Sequence, residues 1–125
     1  MTRDPSDRPS WVLLVQRDEE DVLYEAAAMA AAAISLGIDV TIIWFDSALA
    51  ALATGSLAET EGKIARAGRL LSEAREGGGL RFLACSASMV DLGADREAVA
   101  NVVDDVVGWP TAISLIRSAE RSFFF

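Results

Sequence analysis

The sequence predicts a single α/β domain built on a mainly parallel sheet. Three short and almost continuously apolar runs, at residues 11–15, 40–45 and 80–84, have the composition of strands that are buried on both faces. Segments with apolar residues at helical spacing lie between these runs. Because strands that alternate with helices are typical of parallel sheets, we expect one three-layer domain with roughly five strands flanked by helices.

The helix after the first strand has the clearest pattern. Apolar residues recur at helical spacing from Val22 to Ile34, and the chain then reaches Gly37. The acidic run at residues 18–21 supplies a cap and favourable charges at the helix start. Asp46 and Ser47 directly follow the second strand and predict the cap of a short helix at residues 48–53.

The second half of the chain continues the alternation. Residues 56–59, Ser-Leu-Ala-Glu, have the spacing of a capping box for a helix that continues to Glu76. The glycines at 77–79 follow this helix and precede a strand, which predicts a helix stop rather than a phosphate-binding loop. The remaining predicted elements are a helix capped by Asp95 through Val103, a strand at 106–107, a helix opened by Pro110 and a final strand at 122–125.

Composition excludes several classes of partner. The chain has 125 residues and a formal charge of −8, which opposes binding to phosphate backbones and anionic membranes. Residues 1–9 are polar and lack the apolar stretch of a secretion signal, so we expect a flexible tail before a domain at residues 10–125. One cysteine cannot form an internal disulfide, which suits a reducing compartment. We therefore expect a cytoplasmic protein that binds neither nucleic acid nor membrane.

The absence of histidine narrows the chemistry further. It removes Ser-His-Asp triads, Cys-His dyads and the commonest metal ligand. Neither the dinucleotide-binding glycine motif nor the nucleotide-binding P-loop occurs in the sequence. We expect no cofactor and no metal, and Cys85 is left as the candidate functional residue.

Cys85 lies where the third predicted strand ends. Ligand sites of open α/β sheets form beyond the carboxyl ends of strands, and a helical turn from Ser86 would direct free N–H groups toward the sulfur and stabilise a thiolate. The hydroxyls of Ser86 and Ser88 either donate to the sulfur or cap the turn. The alternative is that Cys85 is an inert, small hydrophobic residue of the core.

Two further groups of residues have alternative interpretations. Lys63, Arg66 and Arg69 recur at helical spacing and form either a solvated face or a docking strip for an acidic partner. Trp44, Trp109 and the aromatic residues at 123–125 are interpreted as core or subunit-contact residues. Because successive strand residues point to opposite faces, burying all three terminal phenylalanines requires cover on both sides. We therefore expect a homo-oligomer.

The region around Cys85 also resembles a known family. Residues 82–93, Phe-Leu-Ala-Cys-Ser-Ala-Ser-Met-Val-Asp-Leu-Gly, are similar to the Cys-x-x-Ser-Met-Asp-x-x-Gly pattern of the DsrE/DsrF-like family, in the branch often labelled peroxiredoxin-like. The alanine-rich first helix with residues 37–45, the helix opened near Thr111 and the final strand are similar to the family as well. Together these stretches cover nearly all of residues 11–125.

The resemblance implies a five-stranded parallel fold, commonly assembled into trimers or hexamers with Cys85 close to a subunit boundary, and a function in sulfur relay. Cys85 would carry sulfane sulfur as a persulfide and exchange it with a TusA-type carrier or a rhodanese-like donor, with no cofactor. Its supporting pocket would comprise Ser86, Ser88, Met89 and Trp109. Two alternatives stay open: a non-catalytic oligomeric binding protein in which Cys85 is a core residue, and a small-ligand enzyme that uses the strand-end pocket without cysteine chemistry.

Overall fold

The sheet is the centre of the computed structural model, which describes residues 8–59 and 61–125. Within these residues it has five strands in the order β4-β3-β2-β1-β5, all parallel to their neighbours. The strands are β1 (Ser10–Val15), β2 (Asp39–Trp44), β3 (Leu80–Cys85), β4 (Asp105–Val107) and β5 (Arg121–Phe124). The predicted parallel α/β fold is confirmed, whereas most of the predicted flexible tail lies outside the described residues.

Helices follow every strand except the last in the described chain. They are α1 (Glu20–Ser35), α2 (Asp46–Ala53), α3 (Gly62–Glu76), α4 (Ser86–Leu92), α5 (Arg96–Ala100) and α6 (Trp109–Ser118). A 3₁₀ turn at Ser56–Ala58 separates α2 from α3. The alternation arises because each apolar strand is followed by a segment whose apolar residues repeat at helical spacing.

The two faces of the sheet are covered differently. On one face, which we call the helical face, Leu13, Ile42 and Phe82 pack beneath residues of α1, α2, α3 and α5. On the other, which we call the cysteine face, Leu14, Ile43, Leu83 and Cys85 form a second cluster. The helical residues packed in that second cluster all come from α6. Strand residues therefore alternate between a thick helical layer and a thin one.

The helix start predicted at residues 56–59 is wrong. The predicted capping box at residues 56–59 opens no helix, because the 3₁₀ turn lies there and α3 begins at Gly62. The turn packs closely on α3: a Cβ added at Gly68 would lie 1.8 Å from the backbone oxygen of Leu57. The start predicted for α1 is confirmed, because the N-cap residue Glu19 lies in the acidic run at residues 18–21, although its side chain makes no capping hydrogen bond.

The predicted helix after Asp95 is shorter than expected. Asp95 Oδ1 accepts a hydrogen bond from the N–H of Glu97, as predicted for a cap, but α5 ends at Ala100 rather than at Val103. The chain must leave the helix there because Asp104 bonds to β3 through its backbone and its carboxylate. The predicted glycine stop after α3 is confirmed, since Gly78 and Gly79 have the positive φ that ends helices.

Candidate functional site

Cys85 is the last residue of β3, and α4 begins at the next residue. Its neighbour in register on β4 is Val107. On the other side Trp44 pairs with Ala84, so the following residue Phe45 lies beside Cys85, and both belong to the cluster on the cysteine face. The thiol therefore lies at the carboxyl edge of the sheet, where ligand sites of parallel α/β folds occur.

Three helix N-termini meet at this edge. The helices α2, α4 and α6 begin at Asp46, Ser86 and Trp109, each within two residues of the end of the preceding strand. The first N–H groups of a helix have no acceptor within the helix, and the helix dipole is positive at that end. Because neighbouring parallel strands all end at one edge, these three helix starts lie at the same edge of the sheet as Cys85.

The immediate surroundings of the sulfur are apolar. Cys85 is a free cysteine with 3% of its surface exposed, and it packs with Phe45, Val107 and Ala112. Cys85 is the N-cap residue of α4, but its side chain makes no capping hydrogen bond. The helix predicted from Ser86 is thus confirmed, while the expected contact between its N–H groups and the sulfur is not formed in this state.

Trp109 and Ser86 border the cysteine from the α6 side. The Trp109 side chain is 46% exposed, and its ring lies 5.2 Å from that of Phe45 with an interplanar angle of 32°. A Cβ added at Gly108, the N-cap residue of α6, would lie 3.6 Å from Ser86 Oγ. The starts of α4 and α6 are therefore adjacent, and the exposed indole lies against the aromatic neighbour of the buried thiol.

Ser88 has a different role from either of those expected. Its hydroxyl is buried inside α4 and donates a hydrogen bond of 3.0 Å to Asp46 Oδ1. Asp46 has a φ of +47°, the one positive φ at a non-glycine position among the described residues. Aspartate tolerates this left-handed conformation better than most residues. The hydrogen bond fixes the first turn of α4 to the start of α2, and the Ser88 hydroxyl is directed to Asp46.

The structure does not bring Met89 to the cysteine. Met89 packs against the cluster of the helical face, whereas Cys85 belongs to the cysteine face. Three residues near Cys85 were not predicted as part of its site: Phe45, Asp46 and Gly108. A signal for the first two was present, because residues that follow neighbouring parallel strands must meet at one edge.

The three basic residues of α3, Lys63, Arg66 and Arg69, differ in their contacts. Lys63 forms an ion pair with Asp21, and this hydrogen bond raises the pKa of Lys63 above its ordinary value. Lys63 and Arg66 both lie over the Tyr24 ring, at 5.4 and 5.7 Å from its centroid. Arg66 and Arg69 are exposed. Of the three residues of the predicted docking strip, Lys63 is thus already paired with a carboxylate of the same chain.

No helix in the described part of the chain is both long and apolar enough to cross a bilayer.

The fold and the position of Cys85 define a class: small parallel α/β domains with one cysteine at the carboxyl end of an interior strand. The model of the DsrE/DsrF-like family matches residues 12–125. The chain therefore belongs to the DsrE/DsrF-like family, as the sequence resemblance predicted.

Solved structures agree with this fold. The ychN protein from E. coli is similar at 12% identity, with a TM-score of 0.68 over 94% of this chain and 99% of that one. A conserved protein of unknown function from Bacteroides thetaiotaomicron, BT1422, has 14% identity and a TM-score of 0.71, covering 93% and 94%. A protein of unknown function from Methanobacterium thermoautotrophicum, MTH1491, has 17% identity and a TM-score of 0.68, covering 92% and 98%. Among curated proteins no significant match is found.

Proposed function

We propose that this protein carries sulfane sulfur as a persulfide on Cys85 and exchanges it with a TusA-type carrier or a rhodanese-like donor. Family membership suggests a function related to sulfur relay. The observation that carries the proposal for this chain is that its single cysteine ends β3 at the edge of the sheet where α2, α4 and α6 begin. Thiolate and persulfide anions are the species that such helix ends stabilise.

The reaction needs no oxidant. The Cys85 thiolate attacks the outer sulfur of a donor persulfide, the donor's sulfur–sulfur bond breaks, and a new sulfur–sulfur bond forms on Cys85. The donor leaves as a thiolate, and the persulfide proton remains with the transferred sulfur. In the second half of the relay, an acceptor thiolate attacks the outer sulfur of the Cys85 persulfide. The sulfur–sulfur bond breaks, and Cys85 leaves as a thiolate. The protein binds and orients the sulfur, and each step transfers one sulfur atom from one thiolate to another.

The apolar surroundings suit the loaded state of the cysteine. Phe45, Val107 and Ala112 keep bulk water from the sulfur, because little of the Cys85 surface is exposed. Access must come from the side of α6, where Trp109 is the exposed side chain next to Phe45. We assign Trp109 to the border of the site and Ser86 to its polar edge. We also propose that the protein is cytoplasmic, because a lone thiol stays reduced in that compartment.

We also propose that the protein is a homo-oligomer, a trimer or a hexamer, with Cys85 near a subunit boundary. The support is the thin cover of the cysteine face. Phe124 is 66% exposed and Ile113 is 51% exposed, and both belong to elements that contact this face. A second copy of the chain would cover apolar side chains that α6 leaves open.

A different class of function has its own supporting observation. The burial of Cys85 among apolar side chains is also what a non-catalytic binding protein would show, with Cys85 as a core residue. In that case the thiol would react only after unfolding.

Mass spectrometry after incubation with glutathione persulfide tests the proposal. Wild-type protein is expected to gain the mass of one sulfur atom and to lose it on addition of excess thiol, because Cys85 is the sole cysteine. Cys85→Ser is expected to show no gain. Ser122→Cys, which adds a half-buried cysteine on β5 to the buried Cys85, controls for unspecific persulfidation.

The rate of alkylation of folded protein separates the two functions. Rapid reaction of Cys85 with iodoacetamide under native conditions supports the carrier. An unchanged mass with the persulfide donor, together with alkylation only in denaturant, would establish Cys85 as a core residue and refute the proposal.

A further inference from the structure

A cavity of about 280 Å³ lies on the helical face, separate from the cysteine. It is bounded by α3, the 3₁₀ turn, the end of α2 and the segment after α5. Most of its walls are apolar, and they are formed by Leu52, Leu57, Leu71, Phe82 and Val102. Its volume is slightly below the range of sites for drug-sized molecules, so its ligand would be smaller.

Arg75 supplies a fixed positive charge to the cavity wall. Its guanidinium carbon lies 4.4 Å from the centroid of the Phe82 ring. One terminal nitrogen donates to the backbone oxygen of Val102 at 3.3 Å, and the other pairs with Asp104 at 3.0 Å. These three contacts hold the guanidinium plane in one orientation. They use two of its five N–H donors, so others remain for a ligand.

Asp104 pairs with Arg75 through only one of its carboxylate oxygens. One carboxylate oxygen of Asp104 bonds to Arg75, and the other accepts a 2.7 Å hydrogen bond from the N–H of Phe82. The carboxylate is therefore shared between the guanidinium and the strand rather than bound to Arg75 by both oxygens. The side chain of Arg75 remains about one third exposed, at 34%. An anionic group that reaches the rim can form a second pair with the guanidinium.

Gly68, a glycine inside α3, lets the 3₁₀ turn pack directly on the helix and form one side of the cavity. Gly68 lies in the interior of α3, where glycine destabilises a helix relative to alanine. The turn that carries Leu57 approaches α3 so closely that any side chain at position 68 would collide with the Leu57 oxygen. Leu57, Gly55 and Gly68 all line the cavity. The close contact of turn and helix thus holds Leu57 in the cavity wall.

We propose that this cavity binds a small monocarboxylate with an apolar body, whose carboxylate pairs with Arg75 and whose body lies among Leu57, Leu71 and Phe82. The chemistry follows from the walls: a fixed guanidinium at the rim selects a carboxylate, and the apolar interior selects a hydrocarbon chain or ring. This site does not depend on sulfur transfer at Cys85. Phe82 points to the helical face and Cys85 to the opposite one, so the two sites are on different sides of β3.

Titration of the full-length, ¹⁵N-labelled protein with hexanoate tests the proposal by NMR. We expect amide shifts that cluster at residues lining the cavity and saturate with a Kd of roughly millimolar order, as its eight heavy atoms allow. Hexanamide, which lacks the charge, is expected to bind about tenfold more weakly, and hexylammonium is expected to cause no clustered shifts. Cys85→Ser is expected to bind hexanoate as the wild type does.

Matched variants locate the site. Arg75→Gln is expected to weaken hexanoate binding about tenfold or more, whereas Arg69→Gln, the same change on the same helix outside the cavity, leaves it within about twofold. Ser72→Phe places a ring at the cavity wall and leaves Arg75 unsubstituted, and it is expected to abolish binding even if Arg75→Gln proves unstable. The proposal is refuted if hexanoate causes no saturable shifts, if hexylammonium binds equally well, or if Ser72→Phe binds as the wild type does.

Discussion

The two faces of the sheet differ in how much protein covers them. On the helical face, the long helices α1 and α3 lie over the sheet together with α2 and α5. On the cysteine face, the packed helical residues come from α6, which has ten residues and one fully buried side chain, Ala112. The same strands therefore contribute to a thick core on one side and to a thin core on the other.

This difference separates stability from accessibility within a small domain. The thick core holds the sheet, while the thin one contains Cys85 and carries the exposed side chains of Trp109, Ile113 and Phe124. Regions with fewer buried contacts open at lower free energy than the rest of a fold. A buried thiol on the thin side can therefore become accessible without disruption of the thick core.

The largest expected effect tests this comparison on two adjacent residues of β2. Ile42 and Ile43 are both fully buried, but Ile42 faces the helical face and Ile43 the cysteine face. Ile42→Ala is expected to reduce the free energy of unfolding by about 4 kcal/mol, and Ile43→Ala by about 2 to 3 kcal/mol, because the single helix α6 can shift to fill the space. Urea denaturation measures both. Equal losses would show that the thin layer is as rigid as the thick one.

A smaller effect is expected from two glycines on opposite sides. A Cβ at Gly68 would collide with the Leu57 oxygen, so Gly68→Ala is expected to cost about 1 to 3 kcal/mol despite the higher helix propensity of alanine. A Cβ at Gly108 would meet Ser86 Oγ at an ordinary distance of 3.6 Å, and the φ of −91° suits alanine. Gly108→Ala is therefore expected to change stability by about 0.5 kcal/mol or less. Thermal unfolding of the two variants gives the comparison, and a stable Gly68→Ala would mean that the turn moves freely.

The smallest effect on the fold is expected where the cysteine face is open. Replacement of Phe124 and Ile113 by serine is expected to change the free energy of unfolding of the monomer by about 0.5 kcal/mol each, since both side chains are exposed. The same double variant is expected to lower the molar mass of the oligomer toward 13.3 kDa in light scattering. Leu36→Ser is the control, because Leu36 is exposed after α1. A wild-type protein that is already a monomer would contradict the assembly proposal.

The strands could be predicted from the sequence because their signal is local. Apolar runs located the first three strands to within one residue of the observed bounds. Cys85 and the helix from Ser86 could be located in the same way. What these elements have in common is that the deciding residues are neighbours in the chain.

The remaining features depend on contacts between distant residues. Asp46 was predicted as a helix cap, but its carboxylate accepts from Ser88, which is 42 residues away. The capping box at residues 56–59 was wrong because the packing of Leu57 against Gly68 decides the conformation there. Phe45 could be recognised as part of the site only from the pairing of β2 with β3, which places it beside Cys85. Long-range packing overrode the local pattern in each of these cases.

The direct passage from β3 to α4 limits the reach of the cysteine. No linker residue separates Cys85 from the helix that starts at Ser86, and Ser88 anchors the first turn of that helix to Asp46. A cysteine held in this way cannot act as a swinging arm that travels between partners. In the sulfur relay proposed above, the movement between partners would therefore be supplied by the other protein.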